Sequence, residues 1–238
     1  MSNFNRLITL NSVVGDVMGQ LGLVPPLTVV DSQDRTAIQM WALANQAGEK
    51  LLNEGTWQML TKEMTIVTDG VTVSYPLPED FDNFAQDASW NRTTRLPALG
   101  GLTEVEWQQL KARNLGGTTF AMLYQVVNDT VEFYDVGTTV QTIVLPYMGR
   151  GWARSAQNDL KDRLTANDDV ILYDPSLFKA ALKFEFMVAK GFDAQAAFQA
   201  YRSCLAAAQA KQAPARTLTL SRNDYPYISE VNLPYFGV

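Results

Sequence analysis

The sequence predicts an α+β fold: an α-helical bundle built from N- and C-terminal helices, an inserted antiparallel β-rich lobe, and an extended C-terminal arm. Three observations carry this prediction. Apolar residues recur at helical spacing near both ends of the 238-residue chain, they alternate with a period of two in the middle, and prolines punctuate the final stretch. The expected segments are 1–56 for the first helices of the bundle, 57–150 for the lobe, 151–213 for a linking loop and the last helices, and 214–238 for the arm.

Residues 4–21 carry a broad apolar stripe of Leu7, Ile8, Leu10, Val13, Val14, Val17, Met18 and Leu21, which predicts the first helix. The following GLVPPL stops it, because two prolines cannot continue a helix. Asp31 or Ser32 can cap a second helix over 33–53, where Ala37, Met40, Trp41, Ala44, Ala47, Gly48, Leu51 and Leu52 keep the i, i+3, i+4, i+7 pattern and Gly55 closes the end. From Trp57 the period changes to two. WQMLTKEMTIVT and GVTVSYPL flank an Asp-Gly pair, a hairpin signal, and further strands are expected at 118–127, 130–135 and 140–148. Thr103 with Glu106 three residues later is a capping-box signature for a short helix. A polar loop over 150–169 leads to a helix capped by Asp174, begun by Pro175 and ended by Gly191. The last helix, 193–213, shows Phe198, Tyr201 and Leu205 on its packed side, and after Pro214 the prolines forbid a helix.

Composition removes much chemistry. The chain has no histidine, which excludes Ser-His-Asp and Cys-His catalysis and His-ligated metals. Its single cysteine, Cys204, allows no internal disulfide and no multi-cysteine zinc site, and its Ala-rich helical setting suits a small packed residue. A formal charge of −6 argues against a general nucleic-acid binder. No apolar run approaches the roughly 18 residues of a membrane span, and the N-terminus does not read as a signal peptide, so synthesis and retention in a cytoplasm are expected. No cofactor is expected.

The stretch YPLPEDFDNFAQDASW, Tyr75 to Trp90, concentrates carboxylates beside aromatics and raises the question of catalysis. A calcium loop starting at Asp80 fails, because Phe84 and Ala85 stand where an oxygen ligand and a glycine are needed. Glu79, Asp80 and Asp82 sit in a Pro-led turn expected to be wet and unperturbed, with Phe81 and Phe84 stapling it to a sheet. Gly100-Gly101 and Gly116-Gly117 lack the Lys-Ser/Thr ending of a phosphate loop and read as turns. Arg150, Trp152 and Arg154 read as a surface or inter-subunit contact, since Trp and Arg are enriched at hot spots. Tyr225, Tyr227, Tyr235 and Phe236 lie on the arm and call for a receiving surface, either on their own domain or on a neighbour reached by strand addition or pocket insertion.

The helix ending in LGLVPPL, the linker TVVDSQD, the long helix RTAIQMWALANQAGEKLLNEG and the following Trp57 together resemble the head-to-tail adaptor, or tail tubular protein A, of short-tailed bacteriophages. YPLPEDF followed by WNRTTR is similar to a recurring phrase of such connectors. The resemblance is best over the first 110 residues. It implies a structural, non-enzymatic virion protein at the head-tail interface, assembled as a twelve-subunit ring below the portal. The bundle and arm would face the portal, with Tyr225, Tyr227, Tyr235 and Phe236 as its contacts, and the lobe would face the tail nozzle. Arg150, Trp152 and Arg154 would meet a neighbouring subunit or the nozzle, and tail fibres are a further candidate partner. DNA would pass through the channel without specific binding, which the acidic balance permits. The rivals are a virion-associated glycan-binding or glycan-cleaving module using Asp80, Asp82 or Asp87 beside Trp90, and a DNA-binding terminal protein dependent on Arg150.

Overall fold

The computed structural model describes residues 8–85, 88–113 and 122–212 of the chain. In order these form β1 (Ile8–Thr9), α1 (Leu10–Gln20), α2 (Arg35–Asn53), a 3-10 turn (Gln58–Leu60), β2 (Thr61–Val67), β3 (Ser74–Pro76), β4 (Phe81–Phe84), β5 (Trp90–Asn91), β6 (Leu96–Leu99), α3 (Glu104–Arg113), β7 (Met122–Val127), β8 (Thr130–Phe133), β9 (Thr142–Gly149), β10 (Ala153–Arg154), β11 (Leu160–Lys161), β12 (Val170–Ile171), α4 (Pro175–Ala189) and α5 (Gln195–Gln212). The fold is mixed α and β. One sheet runs β2-β9-β5-β6-β7-β8-β3 with β4 also on β9, and a small one runs β1-β12-β10-β11.

The helices begin where short polar side chains replace missing backbone partners. The Thr9 hydroxyl accepts from Ser12 N–H at the head of α1. The expected start at residue 4 is therefore corrected for the described part: Ile8 and Thr9 pair with Ile171 and Val170 as strand. Asp34, rather than Asp31 or Ser32, caps α2 by accepting from Thr36 N–H, while the Ser32 hydroxyl accepts from Asp34 N–H. The nearer carboxylate wins because a cap must sit directly before the first helical residue. Asp174 caps α4 through Ser176 and Leu177, with Pro175 in its first turn, as the spacing predicts. The Thr103–Glu106 box at α3 is closed in both directions.

Helix α4 packs on α1, α2 and α5, and the four share one apolar core. Its centre is aromatic: Trp57 meets Tyr173 edge-on at 5.3 Å, and Trp152, Tyr173 and Phe178 stack at 6.0–6.4 Å. The Trp57 indole donates to Leu51 O at 2.7 Å, which ties the end of α2 to the entry of β2. Gly48 lets α2 reach this cluster, since a Cβ there would overlap the Trp152 ring. Tyr201 and Leu205 of α5 are buried as their spacing predicts, whereas Phe198 stays 40% exposed with its ring 5.4 Å from that of Phe184.

A second core of Ile66, Ala98, Tyr124, Val131, Phe133, Val136, Ile143 and Leu145 lies within the larger sheet. The β2–β9 ribbon belongs to both, because its far end buries Ile66 and Ile143 in the second core and Met148 in the first. Two expectations about this region are corrected. The Asp69-Gly70 turn does not join a hairpin: β2 pairs with β9 and β3 pairs with β8. Asp69 accepts from Val71 and Thr72 N–H, and Gly70 takes φ +77 against Thr138, so the turn sends the chain away from β2. The sheet is also not wholly antiparallel, because α3 carries the chain from β6 back to a parallel β7, the crossover that parallel pairing requires. Of the strand expected at 118–127, Met122–Val127 is observed and 118–121 lie outside the described residues.

The polar loop expected over 150–169 instead holds β10 and β11, and its end is organised by buried Asp169. That carboxylate accepts from Lys161 Nζ at 2.9 Å and from the backbone N–H of Thr165 and Ala166 at 2.6 and 2.8 Å. Asn167 and Asn45 extend the seam. Asn167 Oδ1 accepts from Val29 and Val30 N–H, and Asn45 Oδ1 accepts from Leu164 N–H.

Candidate functional site

The acidic stretch singled out in the sequence lies against the ribbon that joins the two cores. Lys62 of β2 stands opposite Tyr147 of β9, and Asp80 reaches both. One Asp80 oxygen accepts from Lys62 Nζ and the other from the Tyr147 hydroxyl at 3.0 Å. Arg150 closes the far side: its backbone N–H donates to Asp80 O and its Nη2 to Glu79 O, both at 2.8 Å. Phe81 packs on Phe84 at 4.7 Å and on Tyr147 at 5.9 Å, and Phe84 on Tyr124 at 5.3 Å, so the aromatic half of the stretch is the expected staple.

The expectation of unperturbed carboxyls is corrected in both directions. Partial burial disfavours the Asp80 carboxylate, but the hydrogen bonds from Lys62 and Tyr147 and the lysine charge outweigh it and hold its pKa below the usual value. Burial together with the Asp80 hydrogen bond pushes the Tyr147 phenol up to about 12. Burial raises Asp82, opposed by the Arg150 charge. An acid of a glycosidase pair needs a raised pKa and a free edge. Asp80 has neither, because both its oxygens are engaged in holding β2, β4 and β9 together. Asp87 lies outside the described residues, and Trp90 is partly exposed on β5.

The three candidate contact residues separate. Trp152 is fully buried in the aromatic cluster of the first core, so its reading as a surface contact is corrected; an indole flanked by small residues packs inward where Gly48 leaves room. Arg150 is exposed but latched to the acidic turn, and Arg154 is half-buried on β10. Tyr225, Tyr227, Tyr235 and Phe236 lie outside the described residues.

Sequence reasoning missed a different set. Leu27 and Val24, in the bend between α1 and α2, are 95% and 86% exposed. Val67, Val71 and Val73, in and beside the Asp69–Thr72 turn, and Val140, before β9, are each exposed. Their alternation was legible, but a period of two marks a face without saying whether the face meets the core or a partner.

Among the described residues no group of three or more acidic or cysteine side chains is placed to hold a metal, and no helix is long and apolar enough to cross a membrane. No protein-family model matches the chain, and no curated protein matches it.

Proposed function

We propose that the protein is a structural connector, the head-to-tail adaptor subunit of a short-tailed phage particle, assembling as a ring between portal and tail nozzle. We read α1, α2, α4 and α5 as the bundle, residues 57–150 as the inserted lobe, and residues 214–238 as the arm that meets the portal through Tyr225, Tyr227, Tyr235 and Phe236.

The observation that carries this reading is that apolar side chains stand exposed in two separate segments of the chain. Val24 and Leu27 lie in the bend between α1 and α2, and Val67, Val71 and Val73 in and beside the Asp69–Thr72 turn, with Val140 before β9. Apolar side chains grouped on a surface mark interaction sites, and a ring subunit needs more than one. The helix, Pro-containing bend, helix and Trp order adds support, and Trp57 ties the end of α2 to the entry of β2. The engagement of Asp80 by Lys62 and Tyr147 counts against Asp80 as the acid of a glycan-active module.

Co-sedimentation with the cognate portal tests it. The Tyr225→Ala/Tyr227→Ala/Tyr235→Ala/Phe236→Ala variant should lose the portal while Asp80→Asn keeps it. Saccharide binding abolished by Asp80→Asn or Trp90→Ala, with no portal binding by the natural chain, would overturn the assignment in favour of the glycan module.

A further inference from the structure

The terminal strand β2 has β9 on one edge and, among the described residues, no strand on the other. The direction of its backbone groups follows from its neighbours. Thr68 N–H donates to Gln141 O at 2.8 Å, so Thr68 and Gln141 are a hydrogen-bonded pair. Counting back by two along the unbroken register makes Ile66–Ile143, Met64–Leu145 and Lys62–Tyr147 the bonded pairs as well. The intervening residues of β9 confirm the alternation, since Pro146 O accepts from Ala85 and Thr142 O from Arg92 on its opposite edge. Glu63, Thr65 and Val67 therefore turn their N–H and C=O groups outward from the sheet, and all three are exposed.

An open edge of this kind is a template for another strand. The other sheet ends are protected: β3 is three residues long and contains Pro76, and β1 and β11 are two residues each. Strand β2 has seven residues, no proline and no bulge.

The described chain ends close to the start of β2. Gln212, the last residue of α5, accepts from Gln58 twice: its Oε1 from the Gln58 backbone N–H and its C=O from Gln58 Nε2, both at 3.0 Å. That places the end of α5 three positions before Thr61. Pro214 cannot continue a helix, and the next stretch, RTLTLSR from Arg216 to Arg222, alternates Leu218 and Leu220 with Thr217, Thr219 and Ser221. It is as long as β2, about 23 Å when extended at roughly 3.3 Å per residue. The β-branched threonines suit the exposed face of Thr61, Glu63 and Thr65, and the leucines suit the side of Met64 and Ile66.

We infer that residues 216–222 add to the free edge of β2 of the same chain as a parallel strand, leaving the aromatic end of the arm to project beyond it. The inference does not depend on the connector reading, because it concerns the free subunit.

Residue-resolved amide hydrogen exchange on the full-length protein tests it. The amides of Glu63, Thr65 and Val67 should exchange at least about tenfold more slowly in the natural chain than in Leu218→Pro/Thr219→Pro, which removes a donor whichever residue faces β2. The amides of Lys62, Met64 and Ile66, bonded to β9, should not change, which separates strand loss from general loosening. Equal rates in the two proteins at Glu63, Thr65 and Val67 would overturn the proposal. Protection that disappears on dilution would overturn it too, by assigning the added strand to a second copy.

Discussion

At the scale of single residues, three positions are set by what surrounds them: Asp169, Asp80 and Gly48. Asp169 is buried and accepts from Lys161, Thr165 and Ala166, so Asp169→Ala strands two backbone donors and a cation. It should lower stability by about 2–4 kcal/mol in a denaturant titration, and Asp169→Asn by less, because an amide oxygen still accepts. Asp80 is a third exposed, and its loss should cost only about 1 kcal/mol. The pH dependence follows from the same groups. Burial opposes ionisation of Asp169, Asp80 and Asp174, but their hydrogen bonds and lysine partners win, leaving all three below the ordinary carboxyl value of 3.8. A depressed folded pKa contributes stability above the unfolded value that is lost as pH falls through the folded one. The melting temperature should therefore change little from these groups between pH 7 and 5 and fall below about pH 4, with a shallower fall in Asp169→Asn. Gly48 completes the set. Gly48→Ala should destabilise by about 1–3 kcal/mol through overlap with Trp152, and Trp152→Leu should make the same change less costly, as a double-mutant cycle would show.

At the scale of elements, local chemistry was readable and long-range pairing was not. The Asp174-Pro175 start of α4 and the Thr103–Glu106 box both follow from interactions within four residues, which a sequence displays directly. Asp174→Ala should accordingly cost about 1 kcal/mol, read as a lower melting temperature. The Asp69-Gly70 hairpin misled because the same turn chemistry serves a bend. What decides the partner of β2 is its match with β9 some 80 residues later, where Ile66 meets Ile143 and Met64 meets Leu145. The seam around Asp169 and Asn167 was hidden for a related reason, since Asn167 acts on Val29 and Val30 and looks in sequence like part of a polar loop. Within the acidic stretch the aromatic staple was legible from Phe81 and Phe84. The roles of Lys62 and Tyr147 were not, because they lie on β2 and β9, far in sequence from the turn that holds Asp80.

At the scale of the whole molecule, the β2–β9 ribbon makes one mechanical unit of two cores. Asp80, Lys62 and Tyr147 clasp it where the acidic turn crosses, next to the Arg150 contact. The proposed connector role would draw on this continuity between the two cores. Substituting Leu27→Asp or Val71→Asp should leave monomer stability within about 0.5 kcal/mol, since both side chains already face solvent, yet weaken assembly measured by sedimentation. The most direct test is the mass of the purified full-length protein in solution, alone and with its cognate portal ring, beside a chain lacking residues 214–238. The connector account predicts a discrete ring of subunits on the portal for the full chain and none for the shortened one. A full chain that stays monomeric and leaves the portal unoccupied would contradict it.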